Sequence, residues 1–194
     1  TPWGAVQCPD FAQVASDKKA YAKATRQQYD QQDEIYGKTV IQRHGKQMLV
    51  QNPPALSLTQ DELDAVYQLP FQRKPHPMYD AQGGVPGIAE VQFSIAHNRG
   101  CFGYCNFCSI ALHQGRRVTC RSEESILKEA KQITEMPNFK GYIHDVGGPT
   151  ANFRAPSCKK QLTKGLCKGK KCLAPEICPA IHADHSEYLH ILRQ

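Results

Sequence analysis

Apolar residues recur at helical spacing from residue 11 to about residue 32. Phe11, Val14, Tyr21, Ala22 and Tyr29 stand among Gln, Lys and Ala, which predicts a helix closed near Gly37. Two short β-rich runs follow, residues 39–42 and 47–51, on either side of His44-Gly45. They predict a hairpin, stopped by Pro53-Pro54. Thr59-Gln60-Asp61-Glu62 has the form of a capping box, with Leu63, Val66 and Tyr67 as the apolar face of a short helix. The stretch 70–87 mixes prolines with glycines and reads as an irregular linker.

The pattern then changes. Val91, Phe93 and Ile95 alternate with Gln92, Ser94 and Ala96, a strand signal. Ser122 stands before Glu123 and Glu124 as an N-cap with acids in the first turn, and Ile126, Leu127, Ala130 and Ile133 form one helical stripe. Pro137-Asn138 ends that helix. Residues 141–146 predict a second strand, closed by Gly147-Gly148-Pro149. Strand, helix, strand is a βαβ unit, which implies parallel pairing and a right-handed crossover.

Residues 149–183 have no period, unusual in a compact domain unless the segment is functional, disordered or held by something. Asp184 and Glu187 offer another capping box before a last helix carrying Tyr188, Leu189, Ile191 and Leu192. The expected organisation is an N-terminal helical and hairpin extension with its linker over residues 1–86. An α/β part over residues 87–194 would contain the cysteine-rich insertion.

Composition narrows the class. A mean hydropathy of -0.54 and no apolar run near the roughly 18 residues of a membrane span argue against a membrane protein. The start, TPWGAVQCPDF, has neither the basic nor the apolar region of a signal peptide, and it lacks an initiator Met. The expectation is a cytoplasmic piece of a longer protein. Net charge is +6, and residues 159–171 hold six lysines and no acid. That run is a solvated face, or a site for an anionic cofactor or nucleic acid.

Nine cysteines in 194 residues change the picture more. With no export signal, clustered thiols point to metal or redox chemistry rather than to a disulfide framework. Three lie in CFGYCNFC, as Cys101, Cys105 and Cys108, in the loop after the first βαβ strand. The carboxyl ends of such strands are where α/β proteins build their chemistry. Thiolates suit zinc and iron–sulfur clusters, but structural zinc wants four ligands. Three thiols in one loop suit three corners of a cubane with one iron left open. Gly100 and Gly103 let the backbone wrap.

The Cys101-x3-Cys105-x2-Cys108 spacing, with Phe107 before the last cysteine, resembles the radical S-adenosylmethionine (SAM) superfamily. NRGCFGYCNFC, SIALHQGR, RSEESIL, FKGYIHDVGGPTANF and DHSEYL look like its YgiQ-type family. The resemblance runs from about Val50 to the end and is densest from Val91 to Arg154. It implies the beginning of a (β/α) partial barrel and a [4Fe-4S] cluster on Cys101, Cys105 and Cys108. SAM would chelate the open iron. Reductive cleavage would then give a 5′-deoxyadenosyl radical acting on a substrate that no motif names. It further implies that Phe107 packs near the adenine and that Gly147 and Gly148 lie where the superfamily keeps a Gly-Gly-Glu motif. Pro149 and Thr150 stand in place of the acid, which puts a carboxylate contact there in doubt. A plain strand-ending turn explains the glycine pair equally well. Asp145 is a candidate contact to SAM or substrate. A one-electron donor such as a flavodoxin or ferredoxin is implied as partner. A fragment with two barrel strands is not expected to turn over alone.

Cys158, Cys167, Cys172 and Cys178, at gaps of nine, five and six, form a second set. An auxiliary iron–sulfur cluster, structural zinc and unmetallated thiols are all open there. Cys8 and Cys120 are isolated and read as buried or incidental thiols. His97, His113 and His144 flank the first site as proton relays or as scaffold. The competing function is a cysteine-rich zinc or iron–sulfur module without radical chemistry, one that could bind RNA through the lysine run.

Overall fold

The computed structural model describes residues 4–148 and 151–194. Along the chain run strand β1 (Val6–Gln7), helices α1 (Phe11–Ser16) and α2 (Lys18–Asp30), and strands β2 (Val40–His44) and β3 (Gln47–Gln51). Helices α3 (Gln60–Tyr67) and α4 (Ile88–Val91) lead to strands β4 (Ser94–Ala96) and β5 (Asn98–Arg99). Then come helix α5 (Ile110–Gln114), strand β6 (Thr119–Cys120), helix α6 (Glu123–Thr134), strand β7 (Asp145–Gly147) and helices α7 (Gln161–Lys164) and α8 (Ser186–Ile191). The result is a mixed α/β protein with small sheets, and no closed barrel forms among the described residues. No helix among them is long and apolar enough to cross a membrane.

Two units share the chain by interleaving. One comprises the segment up to Ser57 together with Phe102–Arg117 and Pro156–His182. The other comprises Leu58–Cys101, Val118–Ala155 and Ala183–Gln194.

In the first unit the expected long helix is two helices. Asp17 breaks it: its backbone is extended, its N–H closes α1 on the Gln13 carbonyl, and its carboxylate accepts from Lys19 N–H at 2.8 Å to open α2. An aspartate that can cap competes with helix continuation. The hairpin forms as expected, β2 antiparallel to β3 from Val40↔Gln51 to His44↔Gln47, around a two-residue loop whose Gly45 has φ +60. Strand β1, too short to show a period, adds in parallel at Val6↔Val40. Cys8, Ala24 and Val40 form the core there, with Val14 packed on them. Asp33 is buried. Its carboxylate accepts from Ile35 and Tyr36 N–H at 2.8 and 2.9 Å, and from Leu166 N–H at 2.7 Å. One side chain thus ties the turn after α2 to the residue preceding Cys167. Gly165 is required beside it, since φ is +70 and a Cβ would lie 2.5 Å from Asp33 Oδ1.

The second unit holds the βαβ element. β4 and β7 pair in parallel, Ser94↔Asp145 to Ala96↔Gly147, with α6 between them in the chain. Both strands are shorter than the alternation suggests, because Ile88–Val91 takes a helical turn instead and Gly141 has φ +97. Between β4 and α6 the chain also makes an antiparallel pair, β5 with β6. Phe93, Ile95, Ile126, Ile133 and Ile191 form the core, and Phe139 meets Phe93 edge-on at 5.5 Å. The capping box at Thr59 and Glu62 is present. So is the Ser122 cap, whose hydroxyl accepts from Ser125 N–H at 3.1 Å. At α8 the expected box is replaced by Asp184 accepting from Ser186 N–H at 2.9 Å.

Three arginines organise the β4 backbone. Arg73 donates to the Gln92 and Ser94 carbonyls at 2.7 and 3.2 Å, Arg121 to Ala96 at 3.0 Å, and Arg154 to His97 at 3.3 Å. Arg73 and Arg121 both pair with Glu129 of α6, and Arg154 with Glu187 of α8. Arg121 also lies 4.1 Å from the Tyr67 ring centroid. Burial lowers its pKa to about 10, still far above neutrality.

Candidate metal centres and the strand end beside them

Strand β4 ends in two buried polar residues. His97 is fully buried, its ring 5.0 Å from that of Tyr188, and neither ring nitrogen has a hydrogen-bond partner among the described residues. Burial, with the Arg154 charge next, pushes its pKa down to about 4, so the imidazole is neutral. Its backbone N–H donates to the Gly147 carbonyl at 2.9 Å. Asn98 is also buried, with both amide atoms of its side chain unpartnered among the described residues. Such groups cost free energy unless something meets them.

The glycine pair is explained by close approach. A Cβ on Gly148 would lie 2.2 Å from Asn98 Oδ1 and 2.4 Å from the Ala151 carbonyl, and one on Gly147 would lie 2.7 Å from Asp145 Oδ1. Gly148 N–H donates to Asn152 Oδ1 at 2.9 Å, Asn152 to Tyr188 Oη at 3.0 Å, and Tyr188 to the Val146 carbonyl at 2.8 Å. The end of β7 is thereby locked. Asp145 is exposed. Pro149 and Thr150, named with these residues from the sequence, lie outside the described residues.

Cys101 is buried at the end of the second unit's segment that carries β4 and β5, after Gly100 with φ +81. Cys105 is exposed and Cys108 half-buried, on the turn leading to α5 in the first unit. Cys108 N–H donates to the Cys105 carbonyl at 3.2 Å, which puts these two cysteines on one tight turn. Phe107 between them is 93% exposed. None of the nine cysteines forms a disulfide. His113 and His144 are exposed.

The second set lies wholly in the first unit. Cys158, Cys167, Cys172 and Cys178 all line one small cavity of about 20 Å³. Ser157 Oγ lies 3.3 Å from Cys172 Sγ, and Lys160 Nζ lies 3.3 Å from Cys167 Sγ. Cys178 N–H donates to the Cys172 carbonyl at 2.9 Å. Four cysteines spread over 21 residues therefore share one space. Even so, among the described residues no three His, Cys, Asp or Glu side chains are drawn to ligating distance of a common point. The chemistry of both donor sets fits soft metals: three thiols on one loop, four around one cavity.

The isolated thiols are structural. Cys8 is buried and its pKa raised by burial. Burial lifts that of Cys120 to about 11, and its Sγ lies 3.6 Å from the Phe153 carbonyl.

Residues 1–94 match the family model described as Radical SAM N-terminal, a match that ends before the first clustered cysteine and covers the part that carries no motif. A UPF0313 protein of Clostridium perfringens (strain ATCC 13124) is 54% identical over 186 residues, 96% of this chain and 28% of that protein. A UPF0313 protein of Clostridium botulinum (strain Okra) is 53% identical over 189 residues, 97% of this chain and 29% of that protein. The chain thus spans less than a third of the length of these curated relatives. No solved structure matches it.

Proposed function

We propose that this chain, similar to the Radical SAM N-terminal family over residues 1–94 and to the UPF0313 proteins, is part of a radical SAM enzyme whose cluster-binding loop is CFGYCNFC. Cys101, Cys105 and Cys108 would hold a [4Fe-4S] cluster, and SAM would take the open iron. The observation that carries this reading is the loop's place. It follows the β4 segment directly, and β4 pairs in parallel with β7 across α6, the repeat from which a (β/α) partial barrel is made. When bound, such a cluster supplies the electron that cleaves SAM to the 5′-deoxyadenosyl radical.

The chain's own residues do the rest. Asn98 offers a buried donor and acceptor, unpartnered among the described residues, beside Gly148. Phe107 offers an exposed ring to cover an adenine. The Gly147 carbonyl accepts from His97 N–H, and Asp145, Gly147 and the following Gly148 are the contacts assigned to SAM at the end of β7. His97, buried and neutral near pH 7, holds the strand rather than moving protons. The electron would come from a flavodoxin- or ferredoxin-like donor. The substrate is open.

For the second set, four cysteines lining one small cavity suit structural zinc or an auxiliary iron–sulfur cluster. Anaerobic reconstitution of the full-length protein with iron and sulfide tests both assignments. Cys105→Ala is expected to lose cluster iron and keep the metal of the second set. Undiminished iron in that variant would remove Cys105 from the ligand set.

A further inference from the structure

The first unit has a larger cavity, of about 490 Å³, which shares Cys167, Lys170 and Lys171 with the four-cysteine space. Its size is ordinary for a small-molecule site. Its walls combine two chemistries. Tyr29, Tyr36 and Tyr104 supply aromatic faces, with Tyr29 and Tyr104 5.2 Å apart at 38°. Arg116, Lys168, Lys170 and Lys171 supply cations. Arg116 lies 4.1 Å from the Tyr104 ring centroid, Lys171 5.3 Å from the same ring, and Lys168 4.5 Å from that of Tyr36.

The charges do not balance. The carboxylate lining this cavity, Asp30, is engaged at 2.9 Å by Arg26 of the same helix. With Asp30 paired to Arg26, no other carboxylate lines the space among the described residues, and Arg116, Lys168, Lys170 and Lys171 face it. Arg116 is the telling one. It is 7% exposed, and among the described residues its Nε has no hydrogen-bond partner while its Nη2 donates to the Lys170 carbonyl at 3.4 Å. A buried guanidinium with no anion is costly, and a planar fork beside aromatic rings is the arrangement that receives phosphate under a stacked base.

We propose that this cavity binds a nucleotide unit, its base against the tyrosines and its phosphate on Arg116 and the Lys168–Lys171 turn. SAM is the wrong ligand for it. With a sulfonium, an ammonium and one carboxylate, SAM carries a net positive charge and would be repelled. The inference is therefore independent of the radical reading and needs no cluster for its test.

The test is equilibrium binding to the full-length protein of adenosine, adenosine monophosphate, SAM and a short single-stranded RNA. The monophosphate should bind about tenfold or more tightly than adenosine, and more weakly as salt rises. Arg116→Gln should weaken it by about tenfold. Should that variant not fold, the paired exposed changes Lys168→Ala and Lys170→Ala carry the same expectation at lower magnitude. RNA binding tighter than the monophosphate and lost in the variants assigns the nucleotide to a strand; RNA binding no tighter assigns a free nucleotide. No binding of either, unchanged binding in the folded variants, or SAM displacing the monophosphate at comparable concentration would overturn the proposal.

Discussion

Arg121 and Arg73 converge on the single carboxylate of Glu129, one guanidinium on each oxygen. The Arg121 side chain is 1% exposed and that of Glu129 10%, and the two arginines hold the carbonyls of residues 92, 94 and 96. The strand that leads into the cysteine loop is thus fixed by charge from its own unit. Removing the shared anion leaves buried cations unpaired. Glu129→Gln should cost about 3–5 kcal/mol, read as a lower urea midpoint at constant slope. A loss below about 1 kcal/mol would show that the pair is not buried as described.

His97 makes stability depend on pH. Unfolded, the imidazole takes up its proton near pH 6.5; folded, only near 4. Between those values the unfolded chain binds more protons, so stability is complete above about 6.5 and falls as pH drops toward 4. The slope is at most about 1.4 kcal/mol per pH unit. Denaturation midpoints measured from pH 7 to 4.5 should show the fall, and His97→Phe should flatten it. An unchanged profile in that variant would assign the dependence to other groups.

Gly148 is a close-approach glycine. Gly148→Ala should destabilise the protein by about 1–3 kcal/mol, because the new methyl meets Asn98 Oδ1 and the Ala151 carbonyl. Adding Asn98→Ala should recover part of the loss, since one of the two obstacles is then gone. Additive losses in the double variant would mean that the two sites do not touch.

Asp33 sets the approach to Cys167 through Leu166 N–H. Asp33→Ala removes the acceptor for three backbone N–H groups and should lower both stability and the metal content of the second cysteine set, measured by elemental analysis. Full metal retention would separate Asp33 from that site.

Much of the local structure was legible in the residues. The hairpin at 40–51, the Thr59 and Ser122 caps and the α6 stripe each follow from a short pattern, and the parallel pairing of β4 with β7 follows from their order. What escaped depends on partners far apart in the chain. Asp33 meets Leu166 and Arg154 meets the carbonyl of His97, and no period marks either. Asp17 could have been suspected, being a capping residue inside a helical pattern. The cysteine spacing pointed to metal chemistry for the first set and left iron–sulfur, zinc and free thiols open for the second. It did not show that Cys158 to Cys178 share one small cavity, or that Asn98 stands unpartnered beside Gly148.

The central claim is that three cysteines hold a cluster with a position open to SAM. Electron paramagnetic resonance of the reduced, reconstituted full-length protein, recorded with and without SAM, tests it most directly. The account predicts a cluster signal that changes on adding SAM in the wild type and is absent from this site in Cys105→Ala. A reduced cluster whose spectrum ignores SAM, or a protein that takes up zinc and no iron, would contradict it.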